Sequence, residues 1–443
     1  MSGAFAGERA VVLGMGVAGT AAAEALAEEG ADVRVSEIRE DVEVPPELRA
    51  LGVRPLGGGH RPEHLEGATL VVASPGIPPH APVMGWARER ALPIWGELEL
   101  GARLARSPYV AVTGTNGKTT TTGMIAACLR AGGLDAVACG NIGYPFPTAA
   151  RRRHDILVVE ASSFQLELQE SFHPRVSVLL NVAPDHLDWH GSFEAYGAAK
   201  ARVFMNQTTD DVHVANRDDA AAAAISSTAS CAVAWFSAGV PAAGEVGWME
   251  GDLSDGSRRL GSPILRSAGQ RSDAAAAASV CLALEVDDRS IAAGLEAYAP
   301  EPHRGDVIAT VDGVQFVDDS KATNPHAAIA AVGDLVDVVL IAGGRAKGVD
   351  LGPLGGLASR LTGVVAIGEA ADEVVGIFEG AVTARKAGSI EEAVGTGFEL
   401  SRRGGTVLLA PACASWDMFR DYRERGERFA TAVRALEREV GGP

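Results

Sequence analysis

Residues 109–122 read YVAVTGTNGKTTTT, an apolar run followed by glycine, lysine and threonine in the pattern of a phosphate-binding loop. The usual loop, G-x-x-x-x-G-K-[ST], has a glycine five residues before the glycine that precedes the lysine. Here that position is Val112, and the available glycine, Gly114, lies closer to Gly117. Strand, loop, lysine, threonine and following helix still occur in order, so the segment predicts ATP binding by a shortened loop.

Composition limits the classes of partner. The chain has 443 residues, 47% of them hydrophobic, which is enough for a large core and for about three domains. A net charge of −18 without a basic block argues against a nucleic-acid partner. Five scattered cysteines without a C-x-x-C pair fit a reducing compartment. With no signal-peptide pattern and no long apolar run, we expect a cytoplasmic protein that does not insert into membranes. We separately expect it to be a monomer.

The amino-terminal segment RAVVLGMGVAGTAAAEALAEEGADVRVSE reads as strand, glycine turn, helix and second strand. Gly14, Gly16 and Gly19 have G-x-G-x-x-G spacing, and Glu37 closes the second strand where a dehydrogenase places its ribose-binding acid. Binding of NAD is one interpretation of this pattern. Glycines that serve only a tight turn and close helix packing are an equally good one. The next strand ends at Ser74, whose turn would face the same crevice.

The remaining chain predicts two further α/β units. Strands of continuous Val, Leu and Ile with polar residues at their carboxyl ends indicate parallel sheets covered on both faces. Asp312-Gly313 between two β-branched runs predicts a hairpin, and alanine runs at 220–224 and 274–278 predict packed helices. The fold class is therefore α/β with three domains: an N-terminal Rossmann-like domain, a central P-loop ATPase-like parallel-sheet domain and a C-terminal Rossmann-like domain. Their predicted ranges are 1–98, 99–300 and 301–443.

Polar residues after the loop are candidates for phosphoryl-transfer chemistry. Lys118 can reach the β and γ phosphates, and Thr119 offers a hydroxyl to Mg²⁺. Glu160 ends the strand DILVVE, where a carboxylate can bind a hard cation or serve as a helix cap. His186 lies just beyond another strand and is a possible second ligand. From composition alone, Lys200 reads as a solvated helical lysine.

Six separated blocks follow one another along the chain. They are GNIG at 140–143, EASSFQLE at 160–167, NVAPDHLDWHGSFEAYGAAK at 181–200, PHR at 302–304, DDSKATNP at 318–325 and PACASWDMFRDYRERGERF at 411–429. In this order they resemble the Mur ligases, the ATP-dependent amide-forming enzymes of peptidoglycan synthesis, and GTNGKT resembles their shortened loop. The DSKATN block and the ending PACAS...F..RG.RF are similar to members that add D-glutamate to UDP-N-acetylmuramoyl-L-alanine.

The resemblance implies ATP, UDP-N-acetylmuramoyl-L-alanine and D-glutamate as substrates, an acyl-phosphate intermediate, two Mg²⁺ and a carbamylated Lys200. The residues it implies for catalysis are Lys118, His186 and Lys200. Those implied for ATP are Gly114, Thr115, Asn116, Gly117, Lys118, Thr119, Thr120, His303, Arg304 and Asp319. Those implied for the UDP-linked substrate are Gly14, Met15, Gly16, Glu37, Ser74, Asn141, Ser162, Gln165 and His186. Those implied for D-glutamate are Lys321, Thr323, Lys347, Ser415 and Tyr422. Those implied for metal are Thr119, Glu160, His186 and Lys200.

The sequence also departs from the family pattern. Arg271, Ser272 and Ala275 stand where the family has a His-Asn pair and a further Asn on the adenine side, so adenine recognition by those side chains is in question. Gly305 and Asp306 replace a bulky apolar residue and a glutamate after PHR. The alternatives are another Mur ligase, a folylpolyglutamate-synthase-like ligase, a nicotinamide-dependent oxidoreductase and a non-catalytic scaffold. Of these, the folylpolyglutamate-synthase-like ligase would not need the first unit.

Overall fold

The computed structural model describes residues 3–263, 265, 268–333 and 335–441. It is an α/β protein in which three central sheets carry most of the core. The chain divides into two units by contacts. The first contains Met1–Val182, Glu194–Pro263 and Asp273–Tyr298, and the second contains Ala183–Phe193, Ile264–Ser272 and Ala299–Pro443. The boundaries of the three domains stay a prediction.

The amino-terminal sheet has five parallel strands in the order β3-β2-β1-β4-β5. Its central strand, RAVVL, buries four successive residues because helices cover both faces. The glycine turn and the end of β2 therefore meet at one sheet edge. The elements are β1 (Arg9–Leu13), α1 (Val17–Glu28), β2 (Asp32–Ser36), α2 (Pro46–Ala50), β3 (Arg54–Leu56), a 3₁₀ turn (Pro62–Leu65), β4 (Leu70–Ala73), α3 (Pro82–Glu89) and β5 (Ile94–Gly96).

The central sheet has six parallel strands in the order β11-β10-β9-β6-β8-β7, beside a three-stranded antiparallel sheet β12-β13-β14. The elements are α4 (Glu97–Leu104), β6 (Tyr109–Thr113), α5 (Lys118–Ala131), β7 (Ala136–Gly140), α6 (Phe146–Ala150), β8 (Ile156–Glu160), α7 (Ser163–Glu167), β9 (Val176–Leu179), α8 (Leu187–His190), α9 (Phe193–Ala201), a 3₁₀ turn (Arg202–Phe204), β10 (Val212–Asn216), α10 (Ala220–Ser226), β11 (Ala232–Phe236), β12 (Gly247–Met249), β13 (Asp252–Ser254), β14 (Arg259–Gly261), α11 (Ala268–Ala283) and α12 (Asp288–Ala297).

The carboxyl-terminal sheet has six strands in the order β15-β16-β20-β17-β18-β19, and only the β15–β16 pair is antiparallel. The elements are β15 (Asp306–Val311), β16 (Val314–Asp318), α13 (Pro325–Val332), β17 (Val338–Gly343), a 3₁₀ segment (Gly352–Arg360), β18 (Leu361–Ile367), α14 (Ala371–Ile377), β19 (Ala384–Lys386), α15 (Ile390–Leu400), β20 (Thr406–Leu409) and α16 (Tyr422–Gly441).

Two local predictions can be compared with the structure directly. The hairpin at Asp312-Gly313 is confirmed, with Val311 opposite Val314 and both turn residues at positive φ. The alanine run at 274–278 is fully buried in α11, as predicted. The run at 220–224 does form a helix, but only Ala222 is buried, because α10 is a short surface helix.

The first two sheets share one hydrophobic cluster within the first unit. Tyr109 packs against Phe146 and Phe172, with ring centroids 5.3 and 5.1 Å away, and Leu98 and Val12 belong to the same cluster. This shared core fixes the amino-terminal sheet against the central one. Within the described residues, no helix combines the length and the apolar composition needed to cross a membrane.

Candidate active site

The shortened loop joins β6 to α5, and its glycines are there for steric reasons. Gly117 has a φ of 83°, and a Cβ at this position would lie 2.1 Å from Asp273 Oδ1. A Cβ on Gly114 would lie 2.9 Å from the side chain of Leu180. The loop is held from the end of β9 by Asn181, whose side-chain oxygen accepts from Asn116 N at 2.8 Å. The loop can therefore be shorter than usual, because it packs closely against the residues that follow β9.

Two of the predicted catalytic lysines converge on one atom of this loop. Lys118 Nζ donates to Gly114 O at 2.9 Å and to Thr115 O at 2.9 Å. Lys200 Nζ donates to the same Gly114 O at 2.7 Å and lies 4.4 Å from the ring centroid of Tyr196. Lys200 is only 1% exposed, so its interpretation as a solvated lysine is wrong. The sequence spacing of 82 positions between them gave no sign of this convergence.

Glu160 ends β8, the strand next to β6, and one of its carboxylate oxygens could bind a cation. It pairs in register with Val112 and is 2% exposed. Its Oε1 accepts from Asn141 Nδ2 at 2.9 Å, whereas its Oε2 is buried without a hydrogen-bond partner among the described residues. A buried, unsatisfied carboxylate oxygen is costly unless a cation or donor compensates it. The donor set at this position therefore fits a hard cation such as Mg²⁺.

Two of the residues predicted to bind the UDP-linked substrate stabilise each other. Ser162 and Gln165 form a capping box at the start of α7. Gln165 Nε2 also donates to Glu97 Oε2 at 3.3 Å, and the other Glu97 oxygen accepts from Phe146 N. Burial raises the pKa of Glu97 to about 7, and these hydrogen bonds only partly offset it. Sequence reasoning missed Glu97, because a glutamate at a helix start is ordinarily solvated.

The predicted UDP-substrate residues lie at the carboxyl edge of the amino-terminal sheet. A Cβ on Gly19 would lie 2.0 Å from Gly14 O, so this glycine is required for close helix packing. Glu37 Oε2 accepts from Met15 N at 2.8 Å, and its Oε1 accepts from Ile38 N. The acid predicted to bind the ligand thus also stabilises the turn. Ser74 Oγ donates to Gly14 O at 3.4 Å, and Gly16 caps α1 with no side-chain bond.

In the second unit, three predicted site residues have a positive φ: His186 at 53°, His303 at 67° and Lys347 at 55°. Positive φ in non-glycine residues costs energy and clusters at functional sites. Lys347 Nζ lies 2.6 Å from Asp185 Oδ1, and Asn324 Nδ2 donates to Asp185 Oδ2 at 3.2 Å. Burial raises the pKa of Asp185, but the charges of Lys347 and His186 and these hydrogen bonds outweigh it, so the pKa is lowered.

The predicted nucleotide-facing residues of the second unit form an ionisable cluster. His303 Nδ1 lies 2.7 Å from Asp318 Oδ2, and this hydrogen bond raises the pKa of His303 despite its partial burial. Burial raises the pKa of Asp319 to about 7, with nearby Arg304 acting in the opposite direction. Arg304 Nε is buried without a hydrogen-bond partner among the described residues.

Two of the loops that carry predicted D-glutamate residues are joined by an arginine that sequence reasoning missed. Arg425 is fully buried and donates to Ser320 Oγ, Ser320 O and Cys413 O at 2.8–3.2 Å. Ser320 precedes Lys321, whose Nζ lies 3.9 Å from the ring centroid of Tyr422. Arg425 therefore fixes the loop of Lys321 and Thr323 against the loop of Ser415. The RG dipeptide within the last block was its only sequence signal.

The predicted metal set is divided between the two units. Thr119, Glu160 and Lys200 belong to the first unit and His186 to the second. Among the described residues, no group of three or more His, Cys, Asp or Glu side chains could hold a metal ion. A metal here would therefore need oxygen ligands from the substrate or from water as well as from Glu160.

Three family models match the chain in order. They are the Mur ligase MurD-like N-terminal domain at residues 8–96, the Mur ligase middle domain at 112–255, and the Mur ligase glutamate ligase domain at 303–413. The first model covers the glycine turn. A folylpolyglutamate-synthase-like enzyme would not need this domain, and an NAD-binding protein would use the turn for a different ligand. Nothing in these matches favours either alternative.

Relatives match over nearly the full length. The chain is 43% identical to the "UDP-N-acetylmuramoylalanine--D-glutamate ligase" of Frankia casuarinae over 98% of this chain and 95% of the relative. It is 42% identical to the protein of the same name from Thermobifida fusca, covering 97% and 99%. The corresponding protein of Myxococcus xanthus is 38% identical, covering 98% and 100%.

Solved structures share the fold at lower identity. A pseudomurein peptide ligase type C from Methanothermus fervidus has a TM-score of 0.64 at 18% identity, covering 97% of this chain and all of that one. MurF from Acinetobacter baumannii has a TM-score of 0.63 at 19% identity, covering 97% and 91%. The full-length relatives and the three matched domains place the chain in the Mur ligase family, within its D-glutamate-ligase group.

Proposed function

We propose that this protein is an ATP-dependent, ADP-forming ligase that joins D-glutamate to UDP-N-acetylmuramoyl-L-alanine in peptidoglycan precursor synthesis. The observation that carries the proposal is the convergence of Lys118 and Lys200 on Gly114 O, beside the unsatisfied carboxylate of Glu160. The full-length relatives that bear this enzyme's name support the choice of substrates. ATP and a UDP-linked sugar as substrates are consistent with a cytoplasmic location, and we propose that the protein is a monomer.

The reaction balances in two transfers. A carboxylate oxygen of the L-alanyl group attacks the γ phosphorus of ATP, the bond to ADP breaks, and an acyl phosphate forms. The amine of D-glutamate then attacks the acyl carbon, the amide bond forms, and phosphate leaves with the oxygen that had been the carboxylate's. The amine loses a proton in this step. Negative charge accumulates at both stages, so preorganised positive groups supply the main stabilisation.

Lys118 is the group suited to the phosphates, because its Nζ lies at the loop that cradles them. Backbone N–H groups of residues 117–120 would hold the phosphate oxygens at the start of α5, whereas Thr115 N and Asn116 N donate to Asn181 and fix the loop. We assign His303, Arg304 and Asp319 to the nucleotide from the second unit, and His186 to the reacting carboxylate. These roles rest on their matching family motifs and, for His303 and Asp319, on raised pKa values that mark ionisable sites.

Magnesium would be held by Glu160 and Thr119, and when bound it would neutralise charge on the transferring phosphoryl group. We further propose a second Mg²⁺ site that needs Lys200 to be carbamylated. Only a neutral amine reacts with CO₂, and Lys200 is 1% exposed. Loss of one proton from the ammonium group gives the neutral amine, and its attack on CO₂ forms the carbamate and releases a second proton, so the buried lysine would become a carboxylate-like ligand. His186 completes this proposed metal set.

We assign the UDP end of the substrate to Gly14, Met15, Gly16, Glu37 and Ser74. A diphosphate at a glycine turn and helix start is stabilised by free backbone N–H groups. The sugar end would pass Asn141, Ser162 and Gln165. For D-glutamate we assign the residues that Arg425 and the Asp185 pair hold in place, namely Lys321, Thr323, Lys347, Ser415 and Tyr422.

Phosphate release from ATP tests this function. We expect release only when UDP-N-acetylmuramoyl-L-alanine and D-glutamate are both present. L-Alanine, a diamino acid or D-alanyl-D-alanine in place of D-glutamate should give no release above background. Comparable turnover with one of these, or with a folate acceptor, would overturn the substrate assignment. Light scattering at 45.7 kDa would support the monomer.

A further inference from the structure

Two histidines share one buried serine hydroxyl at the edge of the amino-terminal sheet. Ser36 Oγ lies 2.8 Å from His60 Nδ1 and 2.8 Å from His64 Nδ1. Ser36 is fully buried at the end of β2, one residue before Glu37, whereas both rings are half-buried. Both rings belong to the segment GGGHRPEH at residues 57–64, which lies outside the motifs shared with the family.

One hydroxyl can serve two rings only in a defined way. Ser36 has a single proton, so it donates to one Nδ1 and accepts an N–H from the other. The first ring then carries its proton on Nε2, and the second leaves Nε2 bare. Burial lowers the pKa of both His60 and His64, which favours the neutral rings that this arrangement requires. The pair therefore presents one donor and one acceptor, whichever ring holds which.

The Nε2 atoms are available to a ligand. Neither forms a hydrogen bond to any residue in the part of the chain that the structure describes. The segment is fixed next to the substrate edge, because Glu37 N donates to Leu56 O and Gly59 N donates to Glu37 O. Ile38, the residue after Glu37, leaves its side chain 69% exposed at the same edge.

The order of the sheet indicates which part of the substrate lies here. A diphosphate at the glycine turn sits above β1, and the acid at the end of β2 marks the ribose position in folds of this kind. Beyond β2 comes β3, followed by the loop that carries His60. The base would thus extend over an exposed apolar side chain and towards two neutral imidazoles.

We infer that His60 and His64, held in complementary tautomers by Ser36, read the imide edge of the uracil in the UDP-linked substrate. That edge offers an N–H donor next to a carbonyl acceptor, which matches one bare nitrogen and one N–H. This inference rests on the proposed function, since it takes a UDP-linked substrate as given. It adds His60, His64 and Ser36 to the residues that determine substrate specificity.

Calorimetric titration of the full chain with UDP and with N3-methyl-UDP tests the inference. Methylation removes the imide donor, so wild-type protein should bind N3-methyl-UDP about tenfold more weakly than UDP. In His60→Phe and His64→Phe proteins UDP should bind more weakly and the penalty for methylation should shrink towards unity. Ser36→Ala should act in the same direction. His173→Phe, at a histidine paired with Asp211, is the matched control and should keep the wild-type ratio.

The outcomes separate the two levels of the proposal. An unchanged methylation penalty in both histidine variants would overturn the uracil contact, even if UDP affinity fell. No UDP binding by wild-type protein would overturn the UDP-linked substrate itself. Thermal melting of each variant checks its folding, and an unchanged KM for ATP shows that the central domain is intact. Ser36→Ala keeps the test valid if a phenylalanine variant fails to fold.

Discussion

Removal of the Lys347 charge should destabilise the second unit strongly, because its partner cannot reach water. Lys347 and Asp185 have side chains only 7% and 6% exposed, with Nζ 2.6 Å from Oδ1. In Lys347→Ala, Asn324 Nδ2 still donates to Asp185 and His186 Nε2 still lies 3.7 Å from Oδ2, but the buried carboxylate loses the lysine that lies 2.6 Å from Oδ1. Breaking a buried pair in this way costs about 3–5 kcal/mol. The cost should appear as a lower free energy of opening in the carboxyl-terminal sheet.

Hydrogen exchange read by mass spectrometry measures this without assuming two-state unfolding of the whole chain. Slow amides of β17 (Val338–Gly343) should exchange about 10²- to 10⁴-fold faster, since about 1.4 kcal/mol corresponds to a factor of ten. Lys386→Ala is the matched control. It breaks an ion pair with Asp372 in which both side chains are exposed, so the change should stay within about 1 kcal/mol.

The double variant Asp185→Asn/Lys347→Ala separates charge from packing. With both charges removed, no uncompensated ion remains, so exchange in β17 should slow again relative to Lys347→Ala. Equal exchange rates in the Lys347→Ala and Lys386→Ala proteins would refute the reasoning. The KM for D-glutamate should rise in both Lys347 variants, because the proposed carboxylate contact is lost in each.

Three further changes test other parts of the site. Lys200→Ala should lower phosphate release by at least about 10²-fold, with partial recovery on adding short carboxylates; full activity would remove the carbamate from the mechanism. Gly117→Ala should abolish ATP binding in calorimetry, since its φ is 83° and its Cβ would meet Asp273 Oδ1; normal affinity would contradict the steric argument. The pKa of Glu97 is raised to about 7, so its contribution to unfolding stability is full below the unfolded pKa of about 4.5 and is lost as pH rises through about 7. Urea unfolding of Glu97→Gln should lack this slope, and an identical slope in wild-type and variant protein would rule out Glu97 as its source.

The sequence predicted the sheets well because buried parallel strands leave an uninterrupted apolar signal. Polar residues in the sequence predicted where β6 and β8 end and where the turn after β1 begins, and the structure agrees. The hairpin at Asp312-Gly313 was equally predictable, since both residues suit positive φ. Such features depend on neighbours close in sequence or on a simple periodicity.

Long-range polar contacts were not predictable from the residues alone. Lys200 looked like a surface lysine because α9 carries no periodic signal for a buried cation, yet its Nζ reaches Gly114 O. Arg425 and Glu97 were missed for the same reason, since their partners lie far away along the chain. Only the family resemblance directed attention to Lys200, and no comparable motif directed it to Glu97.

The central claim is that a shortened phosphate-binding loop activates a carboxylate as an acyl phosphate before amide formation. Its most direct test uses UDP-N-acetylmuramoyl-L-alanine with ¹⁸O in the L-alanyl carboxylate, incubated with ATP and D-glutamate. Mass spectrometry of the released phosphate should find one ¹⁸O atom per molecule of amide formed. Unlabelled phosphate accompanying amide formation would contradict the account, because the carboxylate oxygen would then never have been bonded to phosphorus.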